Sequence, residues 1–104
     1  MNTEIYETIE KAINHSQTLN LTVKHGLASI IKDTEFQPYI LGYDYYQFIF
    51  VWGYLPQQGL FYSFRLDDIS FAKIETENFD ISPDASYQYA IEEEHFAQGR
   101  IILL

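Results

Sequence analysis

At 104 residues the chain has room for one domain, spanning 1–104, and can bury roughly two-thirds of its unfolded surface without staples. Ile, Leu, Val and Phe supply roughly three residues in ten, above the level of about one in five below which chains stay disordered. The absence of cysteine excludes a disulfide framework, a thiol nucleophile and a Cys-ligated zinc, and the net charge of −9 argues against nucleic acid or an anionic membrane as partner.

The first element in chain order is a helix over residues 3 to about 15. Ile5, Ile9 and Ile13 recur every four residues with Ala12 beside them, which makes one apolar stripe. Thr3 is placed to cap it, and Glu4 and Glu7 lie near the positive end of its dipole. An amphipathic helix of this kind is expected to lie across a sheet or to plug the end of a barrel.

From Gln17 the apolar period changes from 3.6 to 2. Leu19, Leu21 and Val23 alternate with Asn20, Thr22 and Lys24, the pattern of a half-buried strand. His25 and Gly26 then read as a turn and Leu27 to Ile31 as a second strand. Lys32 to Glu35 reads as a polar turn and Phe36 to Tyr43 as a third strand, whose Pro38 belongs at an edge or a bulge. Gly42 to Tyr45 makes the next reversal.

Tyr46 to Leu55 is the most hydrophobic strand, with Phe48, Phe50 and Trp52 on one face and Ile49, Val51 and Gly53 on the other. Apolar residues on both faces predict burial on both sides. Pro56 to Gly59 is a hairpin loop, Leu60 to Phe64 the returning strand, Arg65 to Asp68 a short turn. Ile69 to Ile74 follows as a strand with Ile69, Phe71 and Lys73 opposite Ser70, Ala72 and Ile74.

Beyond Ile74 the composition turns acidic: Glu75, Glu77, Asp80, Asp84, Glu92, Glu93 and Glu94 occur with no Lys or Arg up to Glu94. Ser82, Pro83 and Asp84 fit the start of a second helix from about Pro83 to Ala97, with Gly99 as its stop. Tyr87, Gln88 and Tyr89 alternate as a strand would, so both readings stand open. Arg100 to Leu104 is a terminal apolar strand, and an unpaired apolar edge of that kind predicts pairing with a second copy of the chain unless it completes its own barrel. The fold class is thus mainly β (α+β), with five or more strands in a small barrel and a helix over one opening.

Chemical motifs are sparse. The five glycines are scattered and none forms a phosphate-cradling loop. His15, His25 and His95 fall in unrelated segments. Glu92 and His95 have the spacing of a metal-binding helix, but one copy is too few for such a site, and a solvated acidic face is the plainer reading. Asp67 and Asp68 read as turn residues rather than an acid–base pair. No catalytic or metal-binding residue, cofactor or enzymatic activity is therefore expected. The nine Tyr, eight Phe and one Trp suit core and cross-strand packing. Arg65, the only basic residue between Lys32 and Lys73, stands out. Such an arginine can pair a carboxylate, stack on an aromatic face or hold an anionic ligand; an internal ion pair is the expectation, with Asp67 or Asp68 the nearest carboxylate in sequence.

Two strings carry a family resemblance: Tyr46-Gln47-Phe48-Ile49-Phe50-Val51-Trp52-Gly53-Tyr54, and, after the loop, Phe61-Tyr62-Ser63-Phe64-Arg65-Leu66-Asp67-Asp68-Ile69. Together they resemble the WYL-domain family. Its signature triplet falls on Phe48, Ile49 and Phe50, its Gly-Tyr on Gly53 and Tyr54, and its Phe-Arg-Leu-Asp-Arg-Ile turn on Phe64 to Ile69. Ile9 to Val23 resembles the opening helix and first strand, and Pro38 the proline before the signature strand, so residues 5 to about 80 are covered.

The resemblance implies an SH3-like β-barrel preceded by a helix, of the kind found in bacterial transcription regulators and thought to sense nucleotides or nucleic acids through a basic, aromatic mouth. On that pattern Arg65 is the anion contact, with Trp52 and Tyr54 beside it. The sequence departs from the pattern in leaving no room for a DNA-binding domain, in carrying Asp68 for the turn's second arginine, and in carrying Thr34 where an arginine often stands. Two functions are weighed on this basis. One is a protein-interaction or self-association module with a regulatory role, homodimer included. The other is a sensor of a nucleotide or small anion through Arg65. A cytoplasmic setting is expected for either, since Phe48 to Leu55 is too short to span a bilayer and Met1 to Glu4 lacks the features of a signal peptide.

Overall fold

The structure, a computed structural model, describes residues 3–25, 29–43, 46–79 and 100–103. In chain order the elements are helix α1 (Thr3–Asn14), strands β1 (Gln17–His25), β2 (Ser29–Tyr43), β3 (Ile49–Leu55) and β4 (Leu60–Arg65), a 3-10 turn (Leu66–Asp68), β5 (Ile69–Asn78) and β6 (Arg100–Leu103). The strands hydrogen-bond in the order β4-β3-β2-β1-β5, with β6 also on β2. All of these pairings are antiparallel.

The strand order dictates the curvature. β4 and β5 stand at opposite ends of the path, yet only the three residues of the 3-10 turn join them. A flat sheet would hold those ends several strand spacings of about 4.8 Å apart, so the sheet must curl back on itself. The result is a mainly β, barrel-like α+β domain. β2 makes the bend, pairing with β1 through its first half and with β3 and β6 through its second.

Inside the curl, Leu19, Leu21 and Val23 of β1 meet Phe36 and Leu41 of β2, Val51 and Leu55 of β3, Phe64, Leu66 and Ile69. Helix α1 closes this core with Ile5, Ile9, Ala12 and Ile13, the stripe expected from its periodicity, and it rests against β1, β2 and β5. Among the described residues no helix is long and apolar enough to cross a membrane.

Two sequence expectations need correction and a third is decided. Lys32 to Glu35 does not reverse the chain, because β2 runs unbroken through it. The stretch instead holds a bulge: Asp33 takes a positive φ of 53°, the β1–β2 register shifts, and Thr34 is buried opposite Leu21. Polar residues read as a turn, but a bulge needs them equally, since the αL position favours Asp or Asn. Second, Ile69 and Phe71 do not share a face. The β1–β5 register shifts where Thr22 pairs with Phe71 and Val23 with Ile69, so Ile69 is buried while Phe71 is exposed and Ala72 and Ile74 turn to the core. The Ser70 hydroxyl donates to the Thr22 carbonyl at 3.3 Å beside that shift. Third, of the two outcomes open to the terminal strand, the structure takes the internal one, pairing it with β2 of its own chain.

Other expectations agree. Pro38 lies at a register shift between β2 and β3. Pro56 to Gly59 closes the hairpin, where Gly59 has φ 71° and its amide donates to the Leu55 carbonyl at 2.8 Å. The strand after the loop begins at Ile49 rather than Tyr46 at its front edge, and β5 continues past Ile74 to Asn78. The second helix expected near Pro83 to Ala97 lies outside the described residues.

Tyr6 supplies a pH test of the helix contact. It packs on the core edge, and burial, then Glu10, then Tyr43, raises its pKa above 10.0. The unfolded chain ionises this phenol at its ordinary pKa while the folded chain resists, so stability is intact below pH 10 and falls as pH rises through the folded value. The urea midpoint of Tyr6→Phe is expected to fall less than that of the parent between about pH 9 and about pH 11. Identical slopes would show that Tyr6 is fully solvated.

Candidate functional site: the outer face of the β3–β4 hairpin

The hairpin's ladder runs without a register shift, Phe50 opposite Arg65, Trp52 opposite Ser63 and Tyr54 opposite Phe61. Cross-strand partners share a face. Since Val51, Leu55 and Phe64 point into the core, these six residues stand on the outer face. The structure therefore brings Arg65, Trp52 and Tyr54, singled out from sequence, onto one surface.

Their environments differ sharply. Trp52 is 2% exposed and belongs to a second apolar cluster with Tyr39, Ile40 and Phe50, flanked by Tyr54, Phe61 and Phe79. Its ring stacks on Phe61 at 4.8 Å and 9°, and Tyr39 lies 5.8 Å from both rings. Tyr54 sits 5.0 Å from Phe61 and Phe79 5.5 Å from Tyr39. Offset and edge-on pairs at such distances add roughly 0.5–1.5 kcal/mol each beyond area burial. Trp52 is thus a packing residue with no open ring face to offer a ligand.

Arg65 is exposed at the end of β4, with its guanidinium carbon 4.3 Å from the centroid of Phe48. Of the uses open to an isolated arginine, stacking on an aromatic ring is realised. A guanidinium edge is suited to planar oxygen pairs such as those of an anion, and Arg65 makes further interactions besides this ring. The surrounding charge opposes an anion, because Asp67 and Asp68 follow immediately and are both exposed. Thr34, the other position where the resemblance implies an arginine, faces inward beside Leu21 and is buried. A charge there would meet the core rather than the mouth.

Sequence reasoning missed Phe48 as the partner of Arg65, and Tyr39, Phe61 and Phe79 as the frame of Trp52. Phe61 had a local signal in the alternation of β4. Tyr39 and Phe79 had none, because β2 and the end of β5 reach this face only through the curl; the Phe79 amide donates to the Ser16 carbonyl at 2.9 Å, which fixes that end beside the α1–β1 turn. Elsewhere, a cleft of about 330 Å³ lies between Glu4, Glu7, Thr8 and Lys11 of α1 and Ala72 to Ile74 of β5, and none of the candidate ligand residues Arg65, Trp52 and Tyr54 lines it.

These features define a class: a small curled β-sheet, helix-capped, with an aromatic outer face. No family model matches the chain, and no curated protein does. Among solved structures, part of the proteasome accessory factor B/C (PafBC) of Arthrobacter aurescens is similar, with a TM-score of 0.68 and 16% sequence identity. The match covers 86% of this chain and 14% of that one, so the chain spans about a seventh of that protein's length. At this identity the likeness shows the fold alone, and it supports a WYL-like fold.

Proposed function

We propose that this chain is a non-enzymatic protein-interaction or self-association module with a regulatory role. The observation that carries the reading is the fate of the aromatic face. Trp52 and its neighbours are consumed by packing, while large apolar side chains stay solvent-exposed at both faces of the hairpin, Leu60 and Tyr62 on the side of Phe64 and Tyr46 and Phe48 just before β3. Exposed apolar groups gathered at one hairpin suit a macromolecular contact better than a small-ligand pocket. The fold shared with part of an accessory factor suits a regulatory module, and a bacterial, cytoplasmic setting is part of this reading.

The second reading, a sensor of a nucleotide or small anion, is favoured by the exposed guanidinium over Phe48. Calorimetric titration with short single-stranded DNA, common nucleotides and inorganic phosphate separates the two. We expect no binding of nucleic acid at physiological salt and at most millimolar binding of a small anion, because the net charge and the two aspartates oppose it. Micromolar binding that disappears in Arg65→Ala would establish the sensor instead.

A further inference from the structure

We propose that the outer edge of β5, where it meets the cleft beneath α1, takes an extended, lysine- or arginine-bearing segment of a partner protein as an added strand. This surface lies apart from the β3–β4 hairpin and goes beyond the reading above, holding or failing independently of it.

β5 ends the strand order, and among the described residues β1 is the one strand that pairs with it. An antiparallel edge leaves alternate N–H and C=O groups without a ladder partner. A peptide that adds as a strand draws affinity from those groups and specificity from the side chains beside them. Among the described residues, the backbone of Ala72 to Ile74 makes no hydrogen bond outside the β1 ladder. Room for a strand exists there: the cleft of about 330 Å³ runs between these three residues and α1, and every residue lining it is described.

Register fixes what the added strand meets. Leu19 and Leu21 point into the core, so their partners Ile74 and Ala72 face inward as well and pack half-buried against it. Lys73, opposite Asn20, stands on the other face. Inward positions of the added strand thus lie beside Ala72 and Ile74, with Thr8 of α1 across the cleft, and suit a small or β-branched apolar residue.

Charge selects the partner. Glu4, Glu7 and Glu10 on α1 and Glu75 and Glu77 on β5 outnumber Lys11 and Lys73, and Glu7 is an exposed residue of the cleft wall. The net charge of −9 steers a cationic segment toward the same place. The carboxylates also exclude a second copy of β5, which would bring another Glu75 and Glu77 to the edge.

Nuclear magnetic resonance of the isotopically labelled full chain reads each amide while the end-blocked peptide Lys-Thr-Val-Thr-Lys-Thr-Val is added. We expect shifts centred on Ala72 to Ile74, with a Kd below about 1 mM that weakens as salt is added. The same peptide N-methylated at every internal amide keeps its charge but loses its ladder donors. A version with glutamate for lysine keeps the strand and reverses the charge. Each should bind about tenfold or more weakly, and Glu7→Lys should weaken the first peptide about threefold to tenfold. No shift at Ala72 to Ile74, or equal binding of the N-methylated peptide, would overturn the proposal. Shifts at Leu60 and Tyr62 instead would overturn it while supporting the hairpin as the contact surface. The N-methylated comparison uses the parent chain and decides the matter if Glu7→Lys fails to fold.

Discussion

Gly53→Ala is expected to destabilise the domain by about 3 kcal/mol or more, the upper end of the cost of overpacking a core. A Cβ on Gly53 would overlap the carbonyl oxygen of Gln37 and stand 2.8 Å from Cζ of Phe36. Neither neighbour can yield. Gln37 is held by its pairing with Tyr54, at the point where β2 passes from one half of the sheet to the other. Phe36 is fully buried and packs edge-on against Phe64 at 5.3 Å. Gly59 provides the control: a Cβ there meets nothing nearer than the Tyr54 hydroxyl at 3.9 Å, and only its φ of 71° resists substitution. Gly59→Ala should therefore cost about 1–2 kcal/mol. Urea unfolding followed by circular dichroism compares the two, and equal midpoints would show that the close approach at Gly53 is relieved by a backbone shift.

Trp52→Ala is expected to cost about 3–5 kcal/mol, a large share of the roughly 5–15 kcal/mol that holds a domain of this size together. The loss combines the transfer of a nearly fully buried indole with the cavity left between Phe61, Tyr39 and Ile40. Arg65→Ala acts on an exposed residue, removes a cation–π contact worth about 1 kcal/mol or less, and should cost well below Trp52→Ala. The pair of variants tests the roles directly. If Trp52 served a ligand rather than the fold, Trp52→Ala would unfold at nearly the parental urea concentration.

The Trp52 result bears on how the site is read from sequence. The string from Phe48 to Leu55 showed apolar residues on both faces, and both faces are indeed buried, Val51 and Leu55 in the core and Phe50 and Trp52 in the outer cluster. What covers each face was not legible, because Tyr39 and Phe79 come from strands distant in sequence. Arg65 was legible as an isolated cation. Its aromatic partner was not, since Phe48 precedes the first residue of β3 and meets Arg65 only after the hairpin closes.

The sequence by itself determined the elements whose periodicity is local. The stripe of Ile5, Ile9 and Ile13, the alternation of Leu19, Leu21 and Val23, and the Pro56 to Gly59 loop each encode their own geometry, because the spacing of apolar side chains must match the repeat of the backbone that carries them. Only the tertiary structure decided whether Lys32 to Glu35 turned or bulged, which face Phe71 took, and whether the last strand paired at home. Those outcomes depend on register, and register is set by strands that lie far apart in the chain and meet only when the sheet curls.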